Sequence, residues 1–295
     1  MGIKNRLLYL AGRGHLARAL HAEVVPTKWS EFRVRVAAGH EIYCHLHRPA
    51  GSGIHPGVVI VPGANNPGTA YDHAGVLTAD EIACLGFAVV HYDPCGRGKS
   101  GGTEDFWGPT QQQELADILW HVNGLDCVDS AFGLTVFSFS IGIIIATGAL
   151  RREGLPTVRM LFDWEGPSDR YIITRNDRHR PLRDYPTSLE EFWSLREPVN
   201  MIGGIRCGYF RYQAERDHVQ GDTKTHALAL VNAATSGHAA WTRLNDNPPN
   251  KLFDMSRPDL PLWVPASKNH RETILGSFLS AFHSTDGANI PICPA

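Results

Sequence analysis

The sequence predicts an α/β fold: a doubly wound, mostly parallel central sheet flanked by helices, with a small insertion. Two observations carry this. Short unbroken apolar runs, such as Gly57-Val58-Val59-Ile60-Val61 and Phe87-Ala88-Val89-Val90, have the composition of strands buried on both faces. Segments of helical character lie between them, and strands alternating with helices imply parallel pairing through crossovers.

Taken in order, residues 1–30 read as an N-terminal helical extension, with Leu7, Leu8, Leu16 and Leu20 on one face. The apolar run Leu7 to Ala11 is short for a signal peptide and far too short to span a bilayer. Met1-Gly2 fails the myristoylation pattern, because position 6 is Arg. Residues 31–48 alternate as two strands, Phe32-Val34-Val36 and Ile42-Cys44-Leu46, with Gly39 between. The strand from Gly57 follows, then a helix over roughly 72–85 and a strand to Asp93. Thr110-Gln111-Gln112-Gln113 fits a capping box before an amphipathic helix. Further strands are expected at 133–139, 158–163 and 207–212, with a last one near Leu260–Pro265 and a closing helix at 271–283. No linker divides the chain, so 31–295 reads as one domain.

Composition narrows the function. A net charge of −2 draws the chain neither to nucleic acid nor to anionic lipid. Six scattered cysteines without a Cys-x-x-Cys pair suit reduced thiols in a cytoplasmic protein. Asp93-Pro94-Cys95-Gly96-Arg97-Gly98-Lys99-Ser100 ends like a phosphate loop. Asp93 replaces the first Gly, however, and Pro94 has no amide to donate. The Gly-Gly-Thr that follows is a poor helix start, so a nucleotide site is not expected.

The same residues fit another pattern. Asp93-x-x-Gly96-x-Gly98-x-Ser100 follows the fourth strand, and Ser138-Phe139-Ser140-Ile141-Gly142 lies where a buried strand turns straight into an apolar helix. Together they resemble the α/β-hydrolase family, nearest to its dienelactone hydrolase, bacterial esterase and prolyl-oligopeptidase-like group. The second stretch matches the nucleophile elbow Gly-x-Ser-x-Gly, with Ser138 in place of the first Gly. The resemblance spans residues ~30–285 and implies a serine hydrolase using acyl transfer, with no cofactor.

On this resemblance Ser140 is the nucleophile. The oxyanion donors are the amide of Ile141 and one from Pro62-Gly63-Ala64-Asn65-Asn66, at Ala64 or Asn65; many relatives carry His-Gly where this chain has Pro62-Gly63. The acid is Asp217, in a turn resembling Gly-x-x-Asp-x-x-Val, with Glu215 in reserve and Asp163 weaker. The base is His270, after the expected final strand; the long span from Asp217 then requires an insertion. His218, His238 and His283 read as ordinary histidines. In this family the stretch 164–205 houses a lid. Its basic piece 175–184 reads equally as an entry for an acidic substrate or as a solvated surface. Tyr185, Phe192 and Trp193 either line an acyl pocket or anchor the lid. The insertion 224–250 is expected beside the acid loop.

His45 and His47 share one strand face, but with Cys44 pointing away and no carboxylate to complete a ligand set, no metal is expected. The expected function is cleavage of a carboxylic ester or thioester of a small-molecule acyl substrate. Acyl transfer, small-peptide hydrolysis and a non-catalytic binding role on the same fold stay open, as does a homo-oligomer.

Overall fold

The computed structural model describes residues 25–64, 66–72, 77–175, 181–221, 223–266 and 270–287, except the side chains of 270 and 284–287. The leading segment 1–24, Asn65 and residues 176–180 of the basic piece lie outside them. The strands are β1 (Thr27–Arg35), β2 (Glu41–Pro49), β3 (Gly57–Val61), β4 (Ala88–Tyr92), β5 (Leu134–Phe139), β6 (Val158–Trp164), β7 (Gly208–Tyr212) and β8 (Thr242–Leu244). They form one sheet in the order β1-β2-β4-β3-β5-β6-β7-β8. The ladder is parallel from β4 to β8, and β2 is antiparallel to both β1 and β4.

The unbroken apolar runs have the burial that their composition requires. Every residue of β3, β4, β5 and β7 is buried, as expected for strands covered on both faces. The helices are α1 (Ala79–Ala83), α2 (Pro109–Asn123), α3 (Ile143–Leu150), α4 (Arg170–Thr174), α5 (Glu190–Trp193), α6 (Pro198–Met201), α7 (Thr225–Ser236) and α8 (His270–Gly287). Alternation along β3 sends Val59 and Val61 into a core shared with α2 and α3, and Val58 and Ile60 into a second core with α1 and α8. All eight residues of α3 are buried, so this helix lies wholly within the core. Aromatic rings fill much of the second core. Phe137 stacks on Phe139 with ring centres 4.7 Å apart, and Phe162 stacks on Phe210 at 5.1 Å. Phe278 of α8 closes on Phe137 at 5.4 Å.

Three expected elements differ. Of the helix expected over 72–85, the described residues show the short α1, with a 3₁₀ turn, Gly68–Tyr71, ahead of it; residues 73–76 lie outside them. The helix start is set by Thr78, whose hydroxyl accepts from the Glu81 amide while Glu81 Oε2 accepts from the Thr78 amide. No capping box forms at Thr110, because Pro109 already occupies the first turn and the Thr110 amide donates to Asp105 Oδ2 at 2.6 Å. The last strand is β8 rather than 260–265. There, Leu260 and Leu262 are 60% and 57% exposed, and Val264 makes a single bridge to Ala214. The side chains of Asn245 and Asn247 bind the Leu262 backbone where a ladder would otherwise form.

The stretch between β6 and β7 is tied to the body. Arg170 pairs with both Glu190 and Glu197, and Arg196 pairs with Asp105. Trp193 is fully buried and donates Nε1–H to the Pro186 carbonyl; Tyr185 stacks on Phe192 at 3.9 Å. These aromatics anchor the insertion. Among the described residues no helix is long and apolar enough to cross a membrane.

Phe278→Ala removes a buried ring from the second core and should cost about 3–5 kcal/mol. Denaturant unfolding beside the wild type measures this.

Candidate active site

The apolar strand β5 ends at Phe139, and the chain turns at Ser140 into α3 through the 3₁₀ turn Ser140–Gly142. Ser140 has φ = 50°, a left-handed conformation that costs a non-glycine residue about 1–3 kcal/mol. Its surroundings impose that conformation. A Cβ at Gly142 would lie 2.8 Å from the Pro62 carbonyl oxygen, and one at Gly63 only 2.6 Å from that of Phe139. Bare backbone at these two positions lets the loop after β3 press against the turn. Ser138, standing where the motif has Gly, is completely buried. Among the described residues its hydroxyl has no hydrogen-bond partner.

The imidazole at Ser140 is that of His218. His218 Nε2 lies 3.0 Å from Ser140 Oγ, and Nδ1 lies 2.8 Å from Glu165 Oε2. A carboxylate only accepts, so Nδ1 carries the proton and Nε2 is left to accept from the serine hydroxyl. Glu165 follows directly on β6, is buried, and has φ = 52°. Its carboxylate also accepts from the amides of Ala214 (2.9 Å) and His218 (3.1 Å). Both backbone contacts come from the loop after β7, so one carboxylate fixes the loop as well as the ring. Trp164 stacks on the His218 ring with centres 4.2 Å apart, holding its plane.

Asp217, the acid expected from sequence, takes a different place. Its Oδ1 is 3.6 Å from His218 Nδ1, and it accepts from the Val219 and Gln220 amides. Oδ2 accepts from Gln213 Nε2 (3.0 Å) and faces His226 Nε2 (3.2 Å). Burial works to raise the Asp217 pKa, but the His226 hydrogen bond and the nearby histidine charges outweigh it. The carboxyl is held well below its usual range. An Asp folded back on its own turn has its oxygens committed there, and the longer Glu165 reaches the imidazole from the neighbouring strand. Of the other candidates, Glu215 is exposed, and Asp163 is buried against Arg211 at 2.5 Å. His270 opens α8, and its side chain lies outside the described residues.

Sequence signals for the two unexpected residues exist. Glu165-Gly166 is a carboxylate at the C-terminal end of a core strand, and His218 lies beside Asp217 in the turn already singled out. The order of serine, carboxylate and histidine along the chain is kept, and the 53 residues from Glu165 to His218 contain the insertion between β6 and β7.

Ile141 is fully buried behind Ser140, and its amide is the one that follows the serine. Ala64 has φ = 49° and its carbonyl accepts from Arg97 Nη1 at 3.0 Å; Asn65 lies outside the described residues. Tyr71 supports the same loop, its hydroxyl accepting from the Gly63 amide at 3.1 Å. The Gly98-Lys99-Ser100 loop is spent on itself. The Lys99 amide donates to buried Asp93 Oδ2 at 2.8 Å, and a Cβ at Gly98 would strike that oxygen. Arg97 pairs with Glu104 and lies over Trp107. The loop therefore braces Ala64, and its buried carboxylate would repel a phosphate.

No protein-family model and no curated protein matches this chain. Solved structures do. Acetyl xylan esterase 1 from Thermoanaerobacterium sp. JW/SL YS485 aligns with a TM-score of 0.56 at 16% identity, over 78% of this chain and 84% of that one. The Pyrococcus furiosus esterase Pf2001 aligns with a TM-score of 0.59 at 15% identity, over 86% and 92%. A Mycobacterium tuberculosis puromycin-hydrolyzing peptidase reaches 0.63 at 12% identity, over 93% of this chain and 41% of that one. The chain has the α/β-hydrolase fold.

Ser138→Ala deletes a buried hydroxyl with no partner among the described residues. It should leave the thermal midpoint unchanged or raise it, as a melting curve will show.

Proposed function

We propose that the protein is a serine hydrolase of carboxylic esters or thioesters, with Ser140 as nucleophile, His218 as general base and acid, and Glu165 as the group that orients the imidazole. The observation that carries this is the continuous chain from Ser140 Oγ to His218 Nε2 (3.0 Å) and from Nδ1 to Glu165 Oε2 (2.8 Å), on a serine held at φ = 50°. A buried serine at a strained strand end, aligned with an imidazole that is itself aligned by a carboxylate, is the arrangement that activates a hydroxyl. The esterases among the similar structures favour an ester carbonyl as the target.

The steps follow from the geometry. Ser140 Oγ attacks the acyl carbon as its proton passes to His218 Nε2, and the carbonyl π pair moves onto oxygen. The Ile141 amide and one from Ala64 or Asn65 receive that oxyanion. The carbonyl re-forms, the alcohol or thiol leaves with the proton from His218, and an acyl-Ser140 ester remains. Water, deprotonated by His218, attacks that ester, and the acid departs as Ser140 regains its proton. Glu165 stays ionised and stabilises the imidazolium through Nδ1–H.

Steady-state hydrolysis of p-nitrophenyl esters of graded chain length tests this. Ser140→Ala should reduce turnover to background, a fall of about 10⁶. Glu165→Gln should lower kcat by about 10²–10⁴ with little change in KM, since it acts on proton transfer. A wild-type protein that is folded and turns over none of these esters contradicts the proposal.

A further inference from the structure

His45 and His47 do not stand alone in the folded chain. The antiparallel register of β2 on β4 places His91 opposite His45, and the 3₁₀ turn after β3 brings Asp72 over all three rings. Asp72 Oδ1 lies 3.0 Å from His45 Nδ1, 2.9 Å from His47 Nε2 and 2.6 Å from His91 Nε2. One donor atom from each residue falls within 4.8 Å of all the others. The group is enclosed: the side chains of His45, His47 and His91 are 9%, 5% and 1% exposed and that of Asp72 10%.

The geometry points to a structural divalent-metal site of the Zn²⁺ class, ligated by His45 Nδ1, His47 Nε2, His91 Nε2 and Asp72. A tetrahedral zinc with bonds of about 2.0–2.1 Å holds its ligand atoms roughly 3.3 Å apart, a few tenths of an ångström wider than the spacing to Asp72 seen here. Three imidazoles with one carboxylate are a donor set of borderline softness, suited to zinc and its first-row neighbours rather than to magnesium or calcium. Four protein ligands close the shell, which marks a structural site rather than a catalytic one.

The hydrogen bonds behind His45 accommodate the same occupant. Tyr43 lies with its hydroxyl 2.7 Å from His45 Nε2, and it also donates to Glu31. With a neutral His45 whose Nδ1–H binds Asp72, the single Tyr43 proton has two claimants, His45 Nε2 and the Glu31 carboxylate. With a cation on Nδ1, a metal ion or a second proton, Nε2–H donates to the Tyr43 oxygen, which also accepts from Lys99 Nζ at 2.9 Å, and Tyr43 donates to Glu31. Carboxylate and hydroxyl groups placed behind a ligating histidine in this way fix its tautomer and ring.

The site has a structural consequence. Asp72 adjoins Tyr71, whose hydroxyl holds the Gly63 amide and whose ring packs 4.7 Å from that of Phe139. A metal on Asp72 therefore clamps the 3₁₀ turn Gly68–Tyr71 to β2 and β4, and with it, through Tyr71, the loop that bears Ala64.

The test uses the full chain, stripped with a chelator and titrated with Co²⁺ and then Zn²⁺. One equivalent of Co²⁺ should bind with the intense visible bands of a tetrahedral site, Zn²⁺ should displace it, and the melting midpoint should rise with free Zn²⁺. Asp72→Asn and His45→Gln, each checked for folding by circular dichroism, should weaken binding at least tenfold and lose the bands. A folded wild type with no tetrahedral Co²⁺ spectrum overturns the assignment. So does a spectrum and affinity unchanged in both folded variants.

Discussion

Everything at the candidate active site depends on one close approach of backbone to backbone, that of the loop after β3 against the turn at Ser140. Gly63 meets the Phe139 carbonyl and Gly142 meets those of Val61 and Pro62, at distances that admit no side chain. Between these contacts Ser140 is held with positive φ, its side chain committed to the C-terminal edge of the sheet. The strain is tolerable because the two cores on either side of β3 and β5 over-determine the backbone there. The same approach brings the Ala64 segment beside the serine, so the proposed nucleophile and its candidate oxyanion donors are positioned by a single packing event.

A second constraint aligns the proposed proton-transfer groups. Asp163 at the end of β6 and Arg211 at the end of β7 form a completely buried pair, with Nη1 2.5 Å from Oδ2. Arg211 passes on to Gln213 and Gln213 to Asp217, so an unbroken polar chain joins the ends of the two strands. Glu165 leaves the first strand and His218 the second. A buried ion pair contributes little net stability, because desolvation offsets its attraction, but removing one partner leaves an uncompensated charge. Its effect here is geometric: it fixes the register of the two loops whose side chains meet at His218. Asp217 supports that loop, and Glu165 contacts the ring.

Much of this was legible in the sequence, for identifiable reasons. The core strands announced themselves because two-sided burial leaves unbroken apolar runs, as in Gly57–Val61 and Leu134–Phe139. The Ser140 turn was legible because strand, small residue and apolar helix follow without a break. Side-chain partners across the sheet were not. Asp217 and Glu165 are both acidic residues near strand ends, and only the three-dimensional reach of each carboxylate to His218 separates them. The final strand failed because the Asn245 and Asn247 side chains replace a backbone ladder, which apolar patterning does not record. His45 and His47 were visible as a pair, yet Asp72 and His91 join them only through the β2–β4 register.

The central claim is that His218, rather than His270, takes the proton from Ser140. The most direct measurement is the rate of covalent labelling by a fluorophosphonate probe for wild type, His218→Ala and His270→Ala, with the modified peptide identified by mass spectrometry. The account predicts modification at Ser140, slowed by about 10²–10⁴ in His218→Ala and at the wild-type rate in His270→Ala. Slowing in His270→Ala with a wild-type rate in folded His218→Ala would contradict it.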